Sequence, residues 1–481
     1  MAVLTSHLAA EGGERDSDLM QTLDSQRKAF LHDGPPSREQ RVRHLDALLA
    51  LILKYQDRLV ECVSEDFGHR SPHETMLAEI VGSVKPIKHA RKHLKRWMKP
   101  ERQPMELELM PAKAEIHYQP LGVIGIMAPW NYPFFLTINP LIGALAAGNR
   151  VMLKPSELTP RTSQLMKEML AEEFDETQIS VVLGGPEVAG AFSRLPFDHL
   201  LYTGSTPVGR KVMMAAAENM VPVTLELGGK SPAIVGPDYD LKHAASRITF
   251  GKLLNAGQTC IAPDYCWVPE GKVDEFVDLV TDQASSMFPS LADNSDYTSI
   301  VADRHYARIQ SLIEDAKEKG ARVIEVNPAA ETVSNQRKIP PTLILDVTEE
   351  MDVMEQEIFG PVMPIKPYKN LDEVIDYVND HPRPLALYHF SNDRNARARM
   401  RAETTAGGMC ENDTLLHIMV EELPFGGVGP SGTGGYHGHY GFKQFSHAKS
   451  VFKQSKLNGA GLLNPPYGKL METMVKVMMK R

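Results

Sequence analysis

Between Arg38 and Phe67 apolar residues recur every three or four positions, and residues 73–98 repeat the spacing, so long amphipathic helices are expected near the start of the chain. Cys62 is expected among their core positions. A proline-bearing extended stretch follows at 99–120, after which short apolar runs alternate with helical segments. The runs are GVIGIMAP (122–129), RVMLKPS (150–156), ISVVLGG (179–185), HLLYTGS (199–205) and PVTLELGG (222–229). A helix is expected from Pro160, where proline suits a first turn. This alternation predicts an α/β fold built on a parallel sheet. A second α/β texture runs from about 230 to 415, with helices near 301–319 and 371–380, and the glycine- and aromatic-rich stretch 423–447 reads as a structured loop.

The two ends read differently. MAVLTSHLAAEGGERDSD has neither an export nor a mitochondrial pattern and is expected to be a loose tail. At the other end Leu470, Met474, Val477 and Met478 share a helical face in a segment too short to cross a bilayer. The expectation is a helix docked on the protein, with transient membrane contact as the other reading.

Apolar residues make up 42% of the 481, enough for two or three domains with filled cores in a soluble protein. The formal charge of −9, spread rather than blocked, gives no nucleic-acid footprint. Cys62, Cys260, Cys266 and Cys410 form neither a zinc spacing nor a disulfide framework, which fits free thiols in a reducing, cytoplasmic setting. No metal site is expected; the two histidines of YHGHYG lack a third ligand.

Several short stretches carry candidate chemistry, each with a plainer alternative. In LLYTGSTPVGR a strand meets Gly204 and a helix opening at Gly209, an arrangement that suits a pyrophosphate but equally an ordinary strand-to-helix turn. Lys154 and Glu157 end another strand, where a carboxylate can accept from ribose hydroxyls or simply sit in solvent. Asn131, among Trp130, Tyr132, Phe134 and Phe135, is placed to donate to an oxyanion or to cap a turn. Glu226 is followed by two glycines that let other groups approach, so burial would raise its pKa towards the range of a general base, or leave it a structural glutamate. Cys260 lies beside Gly257, Gln258 and Thr259, which are expected to leave room for its thiol; taken alone it is as readily an inert buried cysteine. Cys266 reads as core. Glu357 and Phe359 precede a Gly-Pro turn and are ambiguous alone.

Taken together, APWNYP, LKPSE, YTGSTPVG, LELGGKSP, GQTC, EIFGPV and LPFGGVGPSG resemble the aldehyde dehydrogenase superfamily across essentially the whole chain. The LKPSE form, the 34 residues from Glu226 to Cys260 and the NPPYGK ending are similar to the class 3 branch, and within it to the bacterial coniferyl aldehyde dehydrogenases. The resemblance implies an aldehyde dehydrogenase-like α/β architecture. A Rossmann-like NAD-binding domain would comprise 1–98 and 119–226, a catalytic domain 227–420, a small oligomerisation extension 99–118 and 421–460, and a tail helix 461–481. It implies a homodimer.

It further implies that Cys260 is the nucleophile, with Asn131 and a backbone amide holding the oxyanion. Glu226 is the first choice for the base that activates water. Glu357 is assigned to ribose contact or water activation. Lys154 and Glu157 would hold the adenosine ribose, Gly204, Ser205 and Val208 the pyrophosphate turn, and Trp130 and Phe359 the cofactor's nicotinamide side. Tyr132, Leu136 and Thr259 would line the substrate tunnel. The cofactor is expected to be NAD, with NADP accepted, because Glu157 repels a 2′-phosphate. Pro207 departs from the commonest turn and is expected to alter its fine geometry. The substrate would be coniferyl aldehyde or a related aromatic aldehyde, or otherwise a medium- or long-chain aliphatic one. A coenzyme-A acylating or phosphorylating relative is disfavoured because Glu226 is present, and a cysteine hydrolase because no histidine motif accompanies Cys260. A non-enzymatic binding protein is disfavoured because every matched position is filled.

Overall fold

A computed structural model describes residues 5–106 and 109–479, side chains of 5–15 and 462 excepted. Six strands form one sheet in the spatial order Gly432–Thr433, Val223–Glu226, His199–Thr203, Val123–Met127, Arg150–Lys154 and Ile179–Val181. All pair in parallel except Gly432–Thr433. Three of its strands, 123–127, 150–154 and 199–203, are buried at every residue, and that is why they read as unbroken apolar runs.

A second, seven-stranded sheet runs Arg322–Glu325, Thr342–Leu345, Val362–Tyr368, Tyr265–Pro269, Pro232–Val235, Ala386–Phe390 and Gly408–Glu411. Only its edge strand Arg322–Glu325 is antiparallel. A third sheet, fully antiparallel, joins Glu101–Gln103, Lys113–Pro120 and Ser446–Lys453, so it is built from segments far apart in the chain. Ser446–Lys453 forms one of its edges.

The helix Arg38–Phe67 has the bounds its periodicity predicts, sealed by a Ser37 capping box and a left-handed Gly68. The stretch 73–98 is a helical run with a π-helical turn at Met76–Val81 before Gly82–Trp97. Cys266 is fully buried, and Cys62 is half-buried against the main core.

Two expectations about the ends are corrected. The start is no loose tail from Thr5 onward: Thr5–Asp33 is one helix, with Leu19 and Leu23 in the core and Gln26 donating to the carbonyls of Val151 (3.1 Å) and Glu176 (2.8 Å). Residues 1–4 lie outside the described part. The C-terminal helix forms, at Lys469–Met479, but none of its residues is buried, so it does not dock on this chain. Among the described residues, no helix is long and apolar enough to cross a membrane.

Candidate active site

A cleft of about 690 Å³ opens where the carboxyl ends of the six-stranded sheet face the loops of the second that carry Cys260 and Glu357. Trp130, Asn131, Leu136, Lys154, Glu157, Gly204, Ser205, Val208, Glu226, Cys260, Glu357 and Phe359 all line it. Segments more than two hundred residues apart thus meet on one surface.

One end suits a dinucleotide. Strand His199–Thr203 feeds the helix Thr206–Ala217, whose first turn is entered at Ser205 with no side-chain cap, leaving backbone N–H groups for an anion. Gly204 is needed because a Cβ there would collide with the Tyr202 hydroxyl. Pro207 sits inside the first turn, where its missing N–H costs nothing. Lys154 is buried and donates to the Pro155 carbonyl at 2.9 Å, while Glu157 is exposed at the rim. These residues fit the adenosine and pyrophosphate of NAD.

At the other end the thiol of Cys260 follows three successive left-handed residues, Asn255, Ala256 and Gly257. Gly257 is required twice, by its φ of 74° and because a Cβ would strike the Gly360 carbonyl. The expectation that Gly257 and Gln258 leave room beside the thiol is therefore corrected. Gly257 admits the neighbouring loop, and Gln258 is fully buried, held by Asn255 O, Ser299 O and the Val301 amide, each at 3.0 Å.

Asn131 is buried and spends one amide hydrogen on the Gln258 carbonyl at 3.2 Å, which leaves the other for the cleft. Its own carbonyl accepts from Asn255 (3.0 Å) and from Arg70 (3.2 Å). Tyr132 and Thr259 are not on the cleft lining; their hydroxyls lie 2.7 Å apart in the layer beneath, and Tyr132 packs with Phe135, Leu136 and Ile418.

The carboxylates differ in setting. Glu226 is buried, and among the described residues neither carboxyl oxygen has a hydrogen-bond partner, so burial alone holds its pKa well above the ordinary carboxylate range. Glu357 is pushed up to about 7, first by burial and then by Asp264, against the Gly229 amide, Lys230 and Arg308. Its carboxylate lies where a Cβ of Gly228 would be, which is why the LELGG glycines matter. Burial, then Glu357, then Glu226 raise the Cys260 thiol to about 12, offset in part by the amides of Cys260 and Ile261. The resting thiol is neutral, and a carboxylate must take its proton before it can attack.

Several further residues of the site carry no signal in the sequence. Arg304, His305 and Arg308 line the cleft; Arg308 donates to the carbonyls of Glu357 (3.2 Å) and Ile358 (2.5 Å) and so fixes that loop. His305 packs on Trp130 with ring centroids 4.8 Å apart and is held neutral by burial, its pKa down to about 4. Below the site Arg70 and Glu79 form a wholly buried pair. All sit on helices or loops whose charges resemble solvated faces in sequence.

Residues 13–451 match the model of the aldehyde dehydrogenase family. A probable coniferyl aldehyde dehydrogenase of Caulobacter vibrioides is 53% identical over 93% of each chain. The coniferyl aldehyde dehydrogenase of a Pseudomonas species is 47% identical over 100% of this chain and 99% of its own. Among solved structures, substrate-bound Staphylococcus aureus AldH superposes with a TM-score of 0.90 at 40% identity, covering 95% of this chain and 99% of the other. A Mycobacterium tuberculosis aldehyde dehydrogenase complexed with NAD+ does so with a TM-score of 0.82 at 29% identity, covering 91% and 90%. A cysteine, an amide and two perturbed glutamates at one end of a dinucleotide cleft thus accompany a family match over nearly the whole length, and the chain belongs to the NAD(P)-dependent aldehyde dehydrogenase family.

Proposed function

We propose that this enzyme oxidises coniferyl aldehyde or closely related aromatic aldehydes to their acids, with Cys260 as the acyl-carrying nucleophile. The observation that carries the mechanism is that Cys260, Asn131, Glu226 and Glu357 border the same cleft, with Glu226 buried and unpaired. Glu357, near neutrality, takes the thiol proton; the thiolate adds to the aldehyde carbon, and the second Asn131 N–H with a backbone amide holds the oxyanion. Bound NAD supplies the hydride acceptor. Collapse of the thiohemiacetal leaves a thioester on Cys260; Glu226, as its carboxylate, then takes a proton from the attacking water, and the departing Cys260 thiolate regains that proton as the acid is released. Lys154 and Glu157 hold the adenosine ribose, Gly204, Ser205 and Val208 the pyrophosphate, and Trp130 and Phe359 flank the nicotinamide side.

The aromatic rings of Phe425 and Tyr436, which line the cleft together with Leu136 and Cys260, support an aromatic substrate, as do the names of the two bacterial relatives. Coniferyl aldehyde should therefore give the highest kcat/KM in a panel with benzaldehyde, hexanal and a long-chain aldehyde. A higher value for the aliphatic members would contradict the substrate assignment. NAD is preferred because the exposed Glu157 carboxylate on the cleft rim would repel a 2′-phosphate; comparable kcat/KM values for NADP would contradict this.

We infer a division into a cofactor domain (1–98 and 119–226), a catalytic domain (227–420), a bridging unit (99–118 and 421–460) and a tail (461–481). We further infer a cytoplasmic homodimer. The eight-residue edge strand Ser446–Lys453, mostly exposed and with Phe452 half in solvent, supports pairing with a second copy. Light scattering at monomer mass would contradict it.

A further inference from the structure

Away from the cleft, helix Gly82–Trp97 carries His89 and His93 one turn apart, and Glu422 reaches them from the segment after Leu416–Met419. One ligand atom of each lies within 4.8 Å of the others. His89 Nε2 is buried, makes no hydrogen bond, and stands 3.4 Å from the nearer Glu422 oxygen. That gap is long for a charge-assisted hydrogen bond, at about 2.7–2.9 Å. It matches the separation of two ligands on one tetrahedral zinc, roughly 3.4 Å for metal–ligand bonds of about 2.0–2.2 Å. Gly438 lets the backbone next to Glu422 come close to this helix, since a Cβ there would strike the Glu421 carbonyl.

Among the described residues no other partner reaches that nitrogen. The His89 and His93 rings lie 4.4 Å apart in a stack that continues through Trp97 to His439. Arg96 reaches Glu422 only at 3.5 Å with its side chain mostly in solvent, a pair of little worth that a cation can displace.

We propose that His89, His93 and Glu422 form a binding site for a zinc-class divalent cation, with a fourth position open to water. This departs from the expectation of no metal site. The chain gives only half the signal, two histidines at i and i+4, and the third ligand arrives from far along the sequence. A cation there ties the helix to the segment bearing Ile418, which packs against Tyr132, Phe135 and Leu136 beside the cleft.

The test is Co2+ and Zn2+ titration of the chelator-treated full-length enzyme. One equivalent of Co2+ should bind with d–d absorption and no thiolate charge-transfer band, which separates this site from the Cys260 thiol. Loss of outer-shell support alone weakens metal sites about 10–100-fold, so His93→Ala and Glu422→Gln should each weaken binding by at least about tenfold. His439→Ala, which alters the same aromatic stack without removing a ligand, should leave it unchanged. Zn2+ should raise the melting temperature of the wild type and not of His93→Ala. Absence of binding, a thiolate band, or equal affinity in wild type and His93→Ala would overturn the proposal.

Discussion

Arg70 and Glu79, both without solvent exposure, form a 2.6 Å ion pair that grips the turn presenting Asn131. Arg70 donates to the Asn131 carbonyl at 3.2 Å, and the second Glu79 oxygen accepts from the amides of Phe134 (2.9 Å) and Phe135 (2.8 Å). The guanidinium also lies over the rings of Phe67 and Tyr132. Removing one member leaves a buried charge uncompensated, so Glu79→Ala should cost about 3–5 kcal/mol. Urea unfolding measures this, and the double variant Arg70→Met/Glu79→Leu should be less destabilised than Glu79→Ala. Equal stability of Glu79→Ala and wild type would show that the pair carries no structural burden.

Gly228→Ala should disable the site while leaving the fold intact. The new methyl occupies the place of the Glu357 carboxylate, which must swing away. Misplacement by about 1 Å can cost on the order of 10²-fold in rate, and kcat should fall by that order. An unchanged kcat would mean that the Glu357 position is unimportant.

With Glu357 raised to about 7 by burial and Asp264, its carboxylate form is gained as pH rises through neutrality. The value of kcat/KM should climb over that interval, because only the carboxylate can accept the Cys260 proton. Glu357→Gln should lose the inflection. A profile flat from pH 6 to 8 in the wild type would contradict this role.

Glu226→Gln should slow thioester hydrolysis more than hydride transfer, giving a burst of NADH followed by a slow steady state in stopped flow. Loss of the burst itself would contradict the assignment of the base. Stability gives a second reading. The folded pKa of Glu226 lies well above 4.5, so the folded state keeps a proton that the unfolded chain releases. Its contribution is complete below about pH 4.5 and is lost as pH rises through the folded value. Gln has no proton to lose, so melting temperatures should shift in favour of Glu226→Gln as pH is raised above about 4.5.

The chain's regular elements were legible where a single rule governs them. Arg38–Phe67 and Leu371–Asp380 bury one helical stripe each and are closed by Ser37 and Asn370 caps, so periodicity gives their bounds. The cleft residues were legible through motif order, and not one by one. Thr5–Asp33 escaped because, among its described side chains, the core contacts come from a few positions such as Leu19, Leu23 and Gln26, while polar residues dominate the pattern. Arg70 and Glu79 escaped because paired charges on helices resemble a solvated face until the fold buries them. The C-terminal helix shows the converse, since its apolar stripe predicts a partner that this chain does not supply.

The most direct test of the mechanism is the reaction of Cys260→Ala with NAD and coniferyl aldehyde. NADH formation should vanish while NAD binding, followed by fluorescence titration, stays at the wild-type affinity. Full NADH formation by that variant would show that the acyl group is never carried on Cys260.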